Sequence, residues 1–302
     1  MLIAYCQWEA CYDLENMMLQ QPDLLLGSSS SVVPQGKIHK RGKVVHGPPK
    51  TLGLFKAFKC GRRAPFSIIF RDKESPWDTF QPFFECRLAG RVITAVQKSY
   101  PYRIKAIREY SENAGEILRL FNTVHHRNVL SANECYRNKG QLFVLVEDCP
   151  LTLEHLVSLS PDQDSLGAIM FQILNGISYL MTAGFEHTRL SCSNILLTSN
   201  GTVKIAGLEH CSRLVSNKAH TAMIKAVASI TMRLMQSYEM DDGIIGVDDI
   251  ERWPIDSEAF RFLKATSSVK SINTLLEVSR LLKCSGHYSP RHSIRSSQNS
   301  TH

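Results

Sequence analysis

From residue 84 the chain alternates apolar and polar positions with the period of a sheet. "FECRLAG", "RVITAVQ", "YRIKAIREY" and "QLFVLVED" are rich in β-branched and aromatic residues and are separated by Gly, Ser-Tyr-Pro or Asn-Lys-Gly turn signals, so each is read as a strand. One helix interrupts them. "SENAGEILRLFNTV" places Ile117, Leu120, Phe121 and Val124 on one stripe and offers Ser111 as N-cap.

After Pro150 the period becomes helical. "LTLEHLVSL" and "SLGAIMFQILNGISYLMTAG" repeat apolar residues at three and four, and the second is apolar almost all round, as a buried core helix is. "NILLTSNGTVKIAG" reads as a strand pair turned at Asn200-Gly201. Helices return with "MIKAVASITMRLMQSY" and "SINTLLEVSRLL". The prediction is an α+β fold of two packed lobes: a small one with about five antiparallel strands and one helix, then a larger helical one, joined near residues 147–149.

Composition sets the ends of this unit. "GSSSSVVPQG" and the tail "SGHYSPRHSIRSSQNSTH" are rich in Ser, Gly and polar residues, which argues against packed elements there. The folded unit is therefore expected over 64–284, with lobes at about 64–146 and 150–284. Residues 1–63 are expected as a largely disordered basic extension and 285–302 as a disordered tail.

Of 302 residues, 43% are hydrophobic and 21% charged, enough for a full core. The longest apolar runs, such as "LFVLV", fall short of a membrane helix, so no span is predicted. Glu9, Asp13 and Glu15 near the start, without a basic region, argue against a secretory signal. Nine cysteines without a CxxC pair fit inert reduced thiols, and hence a cytoplasmic or nuclear location. The net charge is +7. Much of it sits in 36–63, where Lys37, Lys40, Arg41, Lys43, Lys50, Lys56, Lys59, Arg62 and Arg63 occur without an acidic residue. That stretch is read as a solvated linker, with contact to nucleic acid or an anionic surface as the alternative.

Several fragments, in order, resemble the eukaryotic protein kinase family over about residues 84–284. "NAGEILRLFNTVHHRNVL" resembles its αC helix and the His-x-Asn segment that follows, with Glu116 in the place of the helix glutamate. "QLFVLVEDCP" resembles strand five and the hinge, with Val146 as gatekeeper and Glu147, Asp148 and Cys149 as hinge. "EHTRLSCSNILL" resembles the catalytic loop H-R-D-L-x-x-x-N, and "VKIAGLE" the strand running into D-F-G.

The resemblance also shows which chemistry is missing. The family needs an Asp facing the substrate hydroxyl, an Asn and a second Asp on magnesium, and a Lys on the phosphates. Counting back from Asn194, His187 keeps its place, while Thr188, Arg189 and Ser191 replace the Arg, the catalytic Asp and the usual Lys. A guanidinium has no lone pair to offer and cannot act as general base. Gly207, Leu208 and Glu209 fall over D-F-G, so the magnesium carboxylate is absent and Glu209 comes two residues late.

The nucleotide site is thinned as well. Gly90 is the single glycine where the family's loop has three. "YRIKAI" places Lys105 in the lysine position, while the register "KAIR" places Arg108 there; the two face opposite sides of a strand, so only one serves. Lys105 is preferred, being a lysine and further from Glu116, with their ion pair left open. No A-P-E follows, and the segment after Gly207 is short.

Bland roles accompany the sharp ones. His187 is expected to hold the loop, Asn194 to bond backbone, and Arg189 to make a local salt bridge rather than bind an anion. The resemblance thus implies a pseudokinase acting as a binding or scaffold protein in phosphorylation signalling, with a signalling protein as partner. Neither ATP nor magnesium is expected as a cofactor unless residual binding persists. The alternatives are a weak or atypical ATP-dependent serine/threonine kinase using Glu209 or Glu186, and a decayed duplicate without a selected role.

Overall fold

A computed structural model of the protein describes residues 68–215 and 218–284. The basic stretch 36–63 and the tail 285–302, each given a role above, lie outside the described residues.

The first lobe is a six-stranded sheet. Its strands are β1 (Ile69–Asp72), β2 (Phe80–Arg87), β3 (Arg91–Gln97), β4 (Ile104–Tyr110), β5 (Ala132–Asn138) and β6 (Gln141–Val146), in the spatial order β1-β5-β6-β4-β3-β2. The expectation of about five antiparallel strands is corrected at one edge, where β1 pairs with β5 in parallel. β1 buries none of its four residues. It is held instead by polar contacts with β5: Arg137 Nε donates to Asp72 Oδ1 at 2.8 Å, and Arg71 pairs with Glu134. A short helix α1 (Pro76–Thr79), capped by Ser75, sets Trp77 edge-on to Phe143 at 5.6 Å. Trp77 thereby covers a small outer cluster of Phe80, Ile107, Tyr136, Phe143 and Leu145.

Helix α2 (Ala114–Thr123) crosses the inner face and buries Ile117, Leu120 and Phe121, with Val124 just beyond its end. The stripe is as expected, but the N-cap is not Ser111. Asn113 takes that position in the left-handed region (φ 53°), and its side chain makes no capping bond. Asn tolerates this conformation better than most residues.

The second lobe holds β7 (Leu151–Thr152), α3 (Leu153–Val157), α4 (Gln163–Thr182), β8 (Phe185–His187), β9 (Ile195–Leu197), β10 (Val203–Ile205) and β11 (Cys211–Arg213). Helices α5 (Lys218–Gln236), α6 (Glu258–Ala265) and α7 (Ile272–Cys284) complete it. The expected hairpin is present as β9 and β10, with β7 added on the far side of β9. Helix α4 is capped by Asp162, which accepts from Ser165 N at 2.8 Å. By length and composition it is the one helix among the described residues that matches a membrane span. Leu166, Met170, Ile173, Leu174 and Ile177 on it are nonetheless buried by the rest of the fold.

The segment after α2 fastens the lobes together. Asn128 accepts from Ile205 N at 2.9 Å and donates through Nδ2 to Val203 O at 2.9 Å, while Leu130 N donates to Ile205 O at 2.8 Å. The hydroxyl of Tyr179 on α4 accepts from His125 N, and its ring stacks on His126 at 4.8 Å. Buried Lys204 on β10 reaches Glu147 of the hinge at 2.7 Å and Arg127 O at 3.1 Å. Gly176 on α4 makes this approach possible: a Cβ there would lie 2.7 Å from Asn128 O and 2.8 Å from Ile205 Cδ1.

Candidate functional site

The site is assembled where β2 turns into β3, where β4 passes beneath that turn, and where the loops after β8 and β10 meet. At the turn Ala89 (φ 53°) and Gly90 (φ 98°) are both left-handed. The carbonyls of Leu88 and Ala89 point inward to a buried guanidinium. Arg108 Nη1 donates to Ala89 O at 2.6 Å and Nη2 to Leu88 O at 2.5 Å.

This corrects the preference for Lys105. Alternation along β4 puts Lys105 on the outer face with Ile107, which belongs to the cluster under Trp77, and Ala106 and Arg108 on the inner face. No carboxylate pairs with Lys105 among the described residues, so the ion pair with Glu116 is not made; Glu116 is exposed. The strand carried the signal. Ile104, Ala106 and Tyr110 share the face of Arg108 and are apolar or aromatic, whereas Lys105 shares its face with Glu109 as well as Ile107.

At the hinge, Val146 and Cys149 are 3% and 4% exposed, and the same hydrophobic cluster that holds them includes Cys86, Val92 and Ala106 above and Leu196 below. Apolar packing is therefore continuous across the junction of the lobes. Burial pushes the thiols of Cys149 and of Cys192, in the loop after β8, up to about 12. Both are inert as nucleophiles at neutral pH.

In the loop after β8, His187 is 1% exposed and its Nε2 lies 2.9 Å from Ala206 O. Its Nδ1 accepts from Arg189 N at 3.3 Å, which fixes the proton on Nε2. Burial lowers its pKa, partly offset by the bond to Ala206. Asn194 Nδ2 donates to Arg189 O at 2.6 Å. The loop backbone is thus pinned on both sides of Arg189. The side chain of Arg189 is exposed, and the local salt bridge expected for it is corrected: no carboxylate pairs with it among the described residues. Ser191 Oγ lies 2.9 Å from Ser193 Oγ, and both line a cavity of about 490 Å³ with Arg189, Asn194 and His210.

Gly207 is left-handed (φ 70°), and a Cβ there would lie 3.4 Å from Asn194 Oδ1 and 3.5 Å from His187 Nε2. A 3₁₀ turn, Leu208–His210, follows and buries Leu208. That turn carries Glu209 up to the β2–β3 turn: its Oε1 lies 3.7 Å, and Arg108 Nη1 3.5 Å, from the point a Gly90 Cβ would occupy. Glu186 lies apart from this meeting point, with Oε1 accepting from Ser212 Oγ at 3.3 Å. Glu116 and Glu209 both line a second cavity of about 790 Å³ between α2 and β11. Among the described residues no group of three or more His, Cys, Asp or Glu side chains is arranged to hold a metal ion.

A strand-rich lobe with one crossing helix, a hinge and two loops meeting beneath a glycine turn define a two-lobed protein kinase-like fold. Residues 86–232 match the family model described as "Protein kinase domain", and this part of the chain is similar to the protein kinase-like family. It is 28% identical over 127 residues to "Serine/threonine-protein kinase Tao" of Drosophila melanogaster, covering 41% of this chain and 12% of that protein. It is 28% identical over 102 residues to "Stress-activated protein kinase jnk-1" of Caenorhabditis elegans, covering 32% and 22%. To "Serine/threonine-protein kinase STK11" of Rattus norvegicus it is 24% identical over 127 residues, covering 40% and 28%. The chain thus spans well under a third of the length of these relatives. Members of the family use ATP and magnesium.

Proposed function

We propose that this chain is a catalytically inactive kinase-like domain that works by binding protein partners in phosphorylation signalling, in the cytoplasm or nucleus. On this reading 64–284 is the folded unit, and 1–63 and 285–302 are extensions to it. The observation that carries the reading is Arg189. It stands where the family has its proton-accepting Asp, and a guanidinium has no lone pair with which to accept a proton.

The metal and nucleotide positions support the same conclusion. Gly207 brings no carboxylate, so the amide oxygen of Asn194, whose Nδ2 is bonded to Arg189 O, is left as the single side-chain oxygen at the family's two metal positions. Magnesium wants octahedral oxygen ligands, usually with a carboxylate among them. In the lysine place Arg108 directs both terminal nitrogens at the carbonyls of Leu88 and Ala89, so it clamps the turn from within. These residues do not fit a magnesium-nucleotide complex. One observation favours the second reading, a weak or atypical ATP-dependent serine/threonine kinase: the turn at Leu208–His210 does bring the Glu209 carboxylate to the cleft.

A thermal melt with ATP, with and without magnesium, together with a phosphotransfer assay on generic peptide substrates, separates the two. Binding to the native state stabilises it by RT ln(1 + [L]/Kd), so a ligand with Kd in the tens of micromolar would raise the midpoint clearly at about 1 mM. The expected result is no shift and no transfer. Magnesium-dependent transfer lost on Asn194→Ala would sink the reading.

A further inference from the structure

The cavity left by the vacated catalytic loop has the chemistry of an anion site. Arg189 projects an exposed guanidinium that no carboxylate neutralises among the described residues, and no acidic side chain lines the cavity around it. Its backbone is fixed on both sides, by Arg189 N to His187 Nδ1 at 3.3 Å and by Asn194 Nδ2 to Arg189 O at 2.6 Å. The base of the side chain is therefore already positioned before anything binds, which lowers the ordering cost of a complex.

The neighbouring hydroxyls add a donor. Ser191 and Ser193 share one hydrogen bond at 2.9 Å. Only one of their two hydroxyl protons is consumed in it, so the other is free to point outward. His210 contributes a ring at the same wall. A planar fork of N–H donors beside a hydroxyl matches a tetrahedral oxyanion, which a guanidinium holds bidentately. The cavity, about 490 Å³, admits a phosphorylated side chain together with neighbouring residues.

We propose that Arg189, with Ser191, Ser193 and His210, forms a recognition site for a phosphate group, carried either by a phosphorylated side chain of a partner protein or by free inorganic phosphate. The site rests on the reading of this loop as catalytically vacated. It deepens that reading by giving the binding domain a chemical specificity. Arg189 occupies the position at which the family's Asp faces the substrate hydroxyl, so a side chain entering along that route presents its phosphate to the guanidinium.

The test uses the full chain and three probes: a fluorescent peptide pool with a central phosphoserine between randomised positions, the same pool unphosphorylated, and inorganic phosphate as competitor. Residues 36–63 carry nine Lys or Arg residues and no acidic one in every variant, so the decisive quantity is the difference between the unmodified chain and Arg189→Ala at one salt concentration. The unmodified chain should bind the phosphorylated pool about tenfold or more tightly than the unphosphorylated one, the scale of a charge-assisted bond. Arg189→Ala should remove that preference, and Arg189→Lys, which lacks the fork, should restore only part of it.

Competition by millimolar inorganic phosphate with peptide binding still well above it supports a partner phosphopeptide. Equal affinity for inorganic phosphate and the phosphorylated pool supports the free anion. Equal binding of the two pools, or an unchanged preference in Arg189→Ala with an unchanged melting temperature, overturns the site. The phosphotransfer assay is read separately. Absence of phosphate preference without transfer defeats this site alone, whereas transfer by the unmodified chain defeats the reading beneath it.

Discussion

Arg108 Nη1 lies 2.6 Å from the carbonyl oxygen of Ala89, and this bond clamps the β2–β3 turn from within the protein. Arg108 is 3% exposed and makes a second bond, to Leu88 O. Truncation to Arg108→Ala leaves two inward carbonyls without their donors, which should cost about 2–3 kcal/mol. Lys105→Ala, on the outer face, should change stability by no more than about 0.5 kcal/mol. Urea denaturation midpoints of the two variants check this. Similar losses in both would mean that Lys105, not Arg108 alone, supports the turn.

That pair also marks how far the sequence could be read. Strands β2, β3, β4 and β6 were legible because apolar residues dominate them and turn signals separate them. β5, "ANECYRN", was not, because Asn, Glu and Arg occupy four of its seven positions and only tertiary pairing makes it a strand. β1 is specified by contacts such as Arg137 to Asp72, 65 residues apart, which no local pattern encodes. In the site, the chemical identities at 189 and 207 were legible from motif spacing alone. The partners of Arg189 and Arg108 were not, because a side chain's neighbours depend on loops that meet only in the folded chain. Glu209 illustrates this: two residues late in sequence, it is brought to the cleft by a 3₁₀ turn that starts at left-handed Gly207.

Gly176→Ala should be destabilising although it sits in the interior of a helix. Alanine gains about 1 kcal/mol over glycine in helix propensity. Here its methyl would approach Asn128 O to 2.7 Å, and that carbonyl already accepts from Ile205 N. Relief requires moving the segment that ties the lobes, at an overpacking cost of about 1–3 kcal/mol. A net loss is therefore expected. A higher melting temperature for Gly176→Ala would show that the lobe junction is looser than this packing implies.

The pH dependence of stability should bear the mark of His187 and His126. Both have pKa values lowered from the usual histidine range, chiefly by burial. The unfolded chain then takes up protons first on acidification, beginning near the ordinary value of about 6.5. Their contribution is present in full above that pH and is lost as pH falls through the window down to the folded-state values. His187→Gln should lower stability at pH 7.5 yet lose less between pH 7.5 and 5.5 than the unmodified chain. Parallel curves of denaturation midpoint against pH for the two proteins would count against a neutral buried His187.

Restoring single family residues should not restore chemistry. Arg189→Asp returns a carboxylate to the loop, but Gly207 still brings no magnesium ligand. Gly207→Asp returns that ligand at a left-handed position (φ 70°), where Asp is tolerated at a cost of about 1 kcal/mol. The group facing the substrate hydroxyl is then still a guanidinium. Each variant is expected to fold, by its melting transition, and to transfer no phosphate in an assay with ATP and magnesium. Transfer by either one alone would mean that the remaining loss is compensated. The Glu209 carboxylate, near Gly90 and the Arg108 guanidinium, is the group placed to do it. Glu209→Gln in the active variant would then abolish the reaction, whereas Glu186→Gln, at a carboxylate bonded to Ser212, would leave it unchanged.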